Sequence, residues 1–323
     1  MIRLGALAAV LLLASSGLAA AAPVETFVEA QGPSGLLKGT MLAPGDAAKA
    51  PLVLIIPGSG PTDRDGDSPL GVKAASYRLL AEALAGEGVA SARIDKRGMF
   101  ASAGAGDPNH VTMAAYAQDV HAWAQTLRRQ TGAPCIWLLG HSEGGLVALV
   151  AAQSPADICG LVLVAASGRP FAETLREQLK ANPAAAPFLA QALPAIDKLA
   201  AGQHVDTSGM DPALLTLFHP AVQDFMIDEM SYDPGKLLAA YTGPVLVLQG
   251  DTDLQVAVTD AQRLAAARPA VKLVLFPGVN HVLKAAPLDR GANMATYADP
   301  SLPLAPGIAD TIAAFVKAHP SAN

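Results

Sequence analysis

Ile136-Trp137-Leu138-Leu139-Gly140-His141-Ser142-Glu143-Gly144-Gly145-Leu146-Val147-Ala148-Leu149-Val150 is the stretch whose reading decides the fold. Ile136–Leu139 is continuously apolar and of strand length, and Glu143–Gln153 is a small-residue helix, so a serine stands at a strand-to-helix junction. Gly140-His141-Ser142-Glu143-Gly144 matches G-x-S-x-G, a sharp turn that lifts the serine Oγ above a sheet edge and aims a helix N-terminus at it. Such a turn needs the positions two before and two after the serine nearly free of side chain. Gly140 and Gly144 meet that need, and Gly145 adds room. Ser142 is therefore the candidate nucleophile. The competing reading, a glycine-rich turn with an idle serine, does not account for a strand before it and a helix after.

Working outward, strand-like and helical runs alternate on both sides of this turn. Glu25–Ala30 and Leu36–Leu42 flank Gly32-Pro33-Ser34-Gly35 as a hairpin, and Leu52–Ile56 reads as a strand buried on both faces. Helix Ala74–Glu87, strand Val89–Ile94 and helix Met113–Arg129 precede the turn; strand Leu161–Ala165 follows it. The rhythm stops between Ser167 and Thr242, where several helical patterns occur without a clear strand. It resumes with strand Val245–Leu248, helix Thr259–Arg268, strand Val271–Phe276 and helix Ile308–Ala318. Strand-helix-strand repetition of this kind predicts an α/β fold with a mostly parallel central sheet flanked by helices. The expected organisation is a core over 22–166 and 243–323, interrupted by a helical cap over 167–242.

A serine nucleophile needs a base and an acid that orients it. Of the seven histidines, His281 follows a strand within the turn Pro277-Gly278-Val279-Asn280, whereas His141 abuts the serine and reads as packed beneath the turn. Gly250-Asp251-Thr252-Asp253 leaves a strand through a glycine. Asp253 is preferred as the acid, because three residues on the chain has turned to the sheet's top; Asp251 fits an Asx-type bond in the turn. The order Ser142, Asp253, His281 is one of the known chain orders of this catalytic triad.

Together with Pro57-Gly58-Ser59-Gly60-Pro61, Asp95-Lys96-Arg97-Gly98 and Asn280-His281, these segments make the chain resemble the α/β-hydrolase superfamily, in its lysophospholipase-like and serine-aminopeptidase-like bacterial esterases. The resemblance implies an oxyanion hole built from the backbone N–H of Glu143 and of Ser59. It further implies a serine hydrolase acting on a small-molecule carboxylic ester through an acyl-enzyme, with no metal or organic cofactor. A peptidase or amidase of the same fold is the alternative, with Glu173, Glu177, Asp224 or Glu229 available to hold a free amine; a non-catalytic binding protein on the same scaffold is another.

Residues 1–21 have Arg3, an apolar run Leu4–Leu13 and then small residues ending in Ala19-Ala20-Ala21. That is the layout of a secretory signal cleaved before Ala22, and it predicts a periplasmic or secreted protein without stable membrane insertion. A net charge of -6 gives nucleic acid no basic footprint. The two cysteines, Cys135 and Cys159, open runs expected to be adjacent strands, whose spacing of about 4.8 Å brings them within bridging reach, and an oxidising compartment would favour the bridge; two buried free thiols are the alternative. Thr62–Asp67 superficially resembles a calcium loop, yet Ser68 and Ala74 stand where glycine and glutamate are required, so it reads as a polar turn held by internal Asp–Arg contacts. Three side chains are candidate substrate contacts: Arg64 for a carboxylate, Phe100 at the pocket mouth, and Phe218 from the cap.

Overall fold

The computed structural model describes residues 21–45 and 50–320. The expected export signal lies outside the described residues, save for Ala21. Strands β1 (Val24–Gly32), β2 (Gly35–Ala43), β3 (Leu52–Ile56), β4 (Ala90–Ile94), β5 (Ile136–His141), β6 (Ile158–Val164), β7 (Val245–Gly250) and β8 (Lys272–Phe276) form one eight-stranded sheet in the order β1-β2-β4-β3-β5-β6-β7-β8. Only β1 and β2 join by antiparallel ladders; from β4 to β8 every neighbour is parallel. Strands buried on both faces explain the unbroken apolar runs.

Period-two alternation divides each central strand between two cores. Leu54, Leu138, Leu163 and Val247 face helices α2 (Met113–Thr131), α3 (Glu143–Ala151), α8 (Pro234–Ala240) and α9 (Val258–Ala267). Ile55, Leu139, Val162 and Leu246 face α1 (Ser76–Gly86) and α11 (Ile308–Ala318). Between β6 and β7 the chain also forms α4 (Phe171–Ala181), α5 (Leu189–Ala200), α6 (Pro212–Phe218) and α7 (Pro220–Met230), which share a separate apolar core. The short helix α8 was not read from the sequence, and its Leu238 packs into the main core rather than among these helices.

The register matters most for chemistry. Ile56 lies level with Gly140, His141 with Val164, Val164 with Leu248, and Gly250 with Phe276. The carboxyl ends of β3, β5, β6, β7 and β8 are therefore flush, and the loops that follow all leave from one rim. The strand order reverses at β3, where β4 lies on one side and β5 on the other, and such a switch point opens a crevice at that rim. At the opposite rim, Cys135 and Cys159 are bridged, with Cα atoms 5.2 Å apart, as expected for neighbouring parallel strands.

Candidate active site

Ser142 sits between β5 and α3 with φ 54° and ψ −121°, a left-handed conformation that a side chain adopts only under constraint. The constraint is visible in its neighbours. A Cβ on Gly140 would lie 2.2 Å from the Gly144 carbonyl oxygen, and one on Gly144 would lie 2.3 Å from that of Ile56. The Ser142 N–H donates to the Val164 carbonyl at 3.0 Å, fixing the turn to β6. Glu143 begins α3, so its N–H is one of the unpaired donors of the helix's first turn.

Asp253 and His281 meet across the rim, with Nδ1 of the imidazole 2.8 Å from Oδ2 of the carboxylate and both side chains almost wholly buried. Asp253 also accepts the backbone N–H of Gln255 and Val256 at 2.7 and 3.0 Å, and the side-chain amide of Gln249 at 3.2 Å. Burial alone would raise its pKa; the His281 charge and hydrogen bond, with those two backbone donors, outweigh this and hold the carboxyl below its ordinary value. An ionised Asp253 only accepts, so Nδ1 of His281 donates to it and Nε2 is the ring nitrogen turned away from the carboxylate. Nε2 has no protein hydrogen-bond partner among the described residues. Asp251 does not close its own turn: its Oδ1 accepts the N–H of Gly278, in the loop that carries His281.

That loop is held from behind by residues the sequence reading passed over. Asn280 donates to Asn293 and Thr296, and Asn293 donates to the carbonyls of Thr252 and Pro287. Asn293 belongs to α10 (Arg290–Ala295), whose only local signal is its cap, Asp289 accepting from the N–H of Ala292. His141 proves to be a structural link. Its Nε2 donates to the His281 carbonyl at 2.8 Å, its Nδ1 accepts from the Tyr77 hydroxyl at 2.8 Å, and that hydroxyl oxygen accepts the N–H of Gly58 at 3.0 Å. Burial, with a lesser contribution from the His281 charge, drives the pKa of His141 down to about 3, so the ring stays neutral and keeps this donor-acceptor sense.

Ser142 and His281 line a common cavity of about 180 Å³, together with Ser59 of the loop after β3. Its further walls include Leu70 and Val72 from a small hairpin (Asp67–Ser68 with Val72–Lys73), together with Gln255 and Tyr297. Residues 167–242, expected to supply a substrate contact through Phe218, contribute none of these walls. A larger hollow, about 730 Å³, lies at the other end of the strands beside the disulfide and contains neither Ser142 nor His281.

The three expected substrate contacts stand elsewhere. Arg64 is turned to β4's end, where its backbone N–H and its Nε donate to Asp95 at 2.9 and 3.1 Å and its Nη1 donates to the Thr40 hydroxyl at 3.0 Å, so the guanidinium is engaged within the protein rather than held out to a ligand. The loop it belongs to is accordingly tied to β4 and its end by Arg64–Asp95 and by Asp65–Arg93, rather than by Asp–Arg contacts of its own. Phe100 lies in a turn at the surface, 41% exposed. Phe218 is fully buried in the core of α4–α7 because its ring has apolar neighbours on all sides there. The alternative amine anchors are also engaged or remote: Glu173 pairs with Arg263, Glu177 with Arg169 and Asp224 with His204, while Glu229 is buried and does not line the cavity.

Comparison with known proteins places this geometry in context. The family described as serine aminopeptidase, S33, matches residues 70–285. Esterase EstD of Thermotoga maritima is 26% identical over 266 residues, covering 80% of this chain; the chain spans 61% of the length of that relative. Among solved structures, Est1E from Butyrivibrio proteoclasticus, determined with ferulic acid bound, superimposes with a TM-score of 0.58 at 19% identity, over 90% of this chain and 99% of that one. The Pyrococcus furiosus esterase Pf2001 gives 0.55 at 16% identity, over 92% and 93%. A dienelactone hydrolase from Anabaena variabilis gives 0.55 at 18%, over 93% and 100%. At these identities the structural likeness concerns the fold, which is the α/β-hydrolase fold.

Proposed function

Since the chain belongs to the S33 serine aminopeptidase family of α/β hydrolases, we propose that it is an exported serine esterase acting on small, uncharged acyl groups through an acyl-enzyme. The observation that carries the reading is the Asp253–His281 pair opening, through Nε2, on the same cavity as the constrained Ser142. In the first step Ser142 Oγ bonds to the ester carbonyl carbon while its proton passes to His281 Nε2, and the carbonyl π electrons move onto oxygen. The N–H groups of Ser59 and Glu143 receive that oxyanion, beside the positive end of α3. Collapse breaks the bond to the alkoxide leaving group, which takes the proton from Nε2 and departs as alcohol. Water, deprotonated by His281 in turn, releases the acid and restores Ser142.

The cavity favours an ester over a peptide amine terminus. Its walls are glycine, aliphatic, hydroxyl, amide, tyrosine and histidine side chains, and a free ammonium would meet no carboxylate among them. Its volume suits a short acyl chain. The reading is tested by p-nitrophenyl butyrate turnover and labelling with a fluorophosphonate. Both are expected of the unmodified chain, with aminoacyl p-nitroanilides turned over far more slowly. Ser142→Ala should fold normally, fail to label and lose at least about 10³-fold in kcat; a variant that still hydrolyses the ester at the original rate removes Ser142 from the mechanism.

Export rests on residues 1–21 and agrees with the disulfide, which oxidising compartments sustain. Expression in a bacterium should yield a periplasmic product beginning at Ala22 by N-terminal sequencing. A product retained in the cytoplasm with Met1 intact refutes it.

A further inference from the structure

Lys96 and Glu143 were not assigned any side-chain task by the reaction, yet both are buried at the site. Lys96 stands two residues beyond β4, and its Nζ donates to the Gly58 carbonyl oxygen at 2.7 Å and to Glu143 Oε1 at 3.2 Å. Their side chains are 4% and 2% exposed, and the ammonium lies 5.6 Å from the centre of the Tyr116 ring. A buried ion pair of this kind is a poor source of stability, since the desolvation of both charges offsets most of their attraction. Its position beside the site supplies another account.

The carbonyl that Lys96 grips belongs to the same planar peptide unit as the N–H of Ser59. In a trans unit the two groups point in opposite directions, so fixing the oxygen fixes the direction in which the Ser59 N–H points. The hold is a charge-assisted hydrogen bond in a dry setting, which also draws electron density from the amide and makes its N–H a stronger donor. The other side of Gly58 is fixed as well, its N–H donating to the Tyr77 hydroxyl. Glu143, the partner that holds Lys96, supplies through its own backbone the second N–H facing the oxyanion. The ion pair thus straps together the two loops that carry the two donors.

We propose that Lys96, held by Glu143, is a positioning residue that sets and polarises the Gly58–Ser59 peptide for oxyanion binding. The inference rests on the serine-esterase reading and goes beyond it by giving the Asp95-Lys96-Arg97-Gly98 segment a function in the transition state. Burial drives the neighbouring Glu229 carboxyl well above its ordinary pKa, with Glu143 adding to the effect and Lys96 opposing it.

The experiment compares the unmodified chain with Lys96→Met, Lys96→Arg and the double variant Lys96→Met/Glu143→Gln. The double variant removes the orphaned carboxylate that Lys96→Met leaves, so its Tm should return towards that of the unmodified chain. Its kcat for p-nitrophenyl butyrate should nevertheless stay about 10–100-fold low, with KM little changed, because a donor is misdirected only where negative charge develops. Affinity for a trifluoromethyl ketone, which forms a tetrahedral adduct on the serine, should fall by the same factor, and Lys96→Arg should recover part of both. If kcat in the double variant recovers with Tm, or stays within about twofold of the original, the ion pair is only structural and the proposal is wrong. Failure of the unmodified chain to label with a fluorophosphonate would instead sink the esterase reading, and this inference with it.

Discussion

His141 donates through Nε2 to a carbonyl that can only accept, so its Nδ1 must be the acceptor for Tyr77, and the ring is neutral with one fixed tautomer. This has a consequence for stability. The folded-state pKa, about 3, lies below the free value of 6.5, so between these limits the unfolded chain binds the extra proton. Its contribution therefore opposes folding progressively as pH falls from 6.5 towards 3, by up to about 1.4 kcal/mol per unit. Asp253, depressed below 3.8, adds a loss of the same sign only around and below that value. Urea unfolding at several pH values between 7.5 and 4.5 should give a steeper stability loss for the unmodified chain than for His141→Gln, which keeps a donor near Nε2 but does not titrate. Parallel slopes for the two would show that His141 is not held neutral.

At the scale of elements, the strands carry structure at one end and chemistry at the other. Cys135 immediately precedes β5 and Cys159 is the second residue of β6, so the bridge ties their amino ends, while Ser142 leaves the carboxyl end of β5. The bridged cysteines are 24 positions apart, and a loop of that size corresponds to about 3.5 kcal/mol of denatured-state entropy. Cys135→Ala/Cys159→Ala should accordingly lose about 2–4 kcal/mol in urea unfolding while its kcat stays near that of the unmodified chain. A large drop in kcat with the fold intact would mean that the two ends of β5 are coupled. Short helices matter here too. α10 has only six residues, yet its Asn293 steadies the loops of both Asp253 and His281.

Across the whole molecule, the cavity at Ser142 and the core of α4–α7 share no residues. The cavity at Ser142 is walled by the 67–73 hairpin and the loops near 255, 282 and 297, while α4–α7 pack around Phe218 and its apolar neighbours. Two substitutions distinguish these roles. Leu70→Ala opens the cavity and should shift preference in a p-nitrophenyl ester series towards longer acyl chains, with little change in Tm because Leu70 is 71% exposed. Phe218→Ala should leave chain-length preference as it was and cost about 3–5 kcal/mol, the usual penalty for emptying a packed aromatic site. The opposite pattern would return substrate selection to the helical insertion.

Much of this protein was legible in the order of its residues. Alternation of apolar strands with amphipathic helices gave a parallel sheet, and Gly140, Ser142 and Gly144 gave the turn, because local sterics permit few other conformations there. The pairing of Asp253 with His281 could be anticipated for a related reason: each follows a strand, and parallel strands deliver their loops to one rim. Helices α8 and α10 were not legible: α8 offers only the adjacent pair Leu237-Leu238 as large apolar residues and α10 only Met294, too few to display a period. Nor were the directions of Arg64, Phe100 and Phe218, or the tasks of Tyr77, His141, Lys96 and Asn293. A side chain's partner is chosen by what the register brings opposite it, often from a distant part of the chain, and that is a property only of the assembled sheet and its loops.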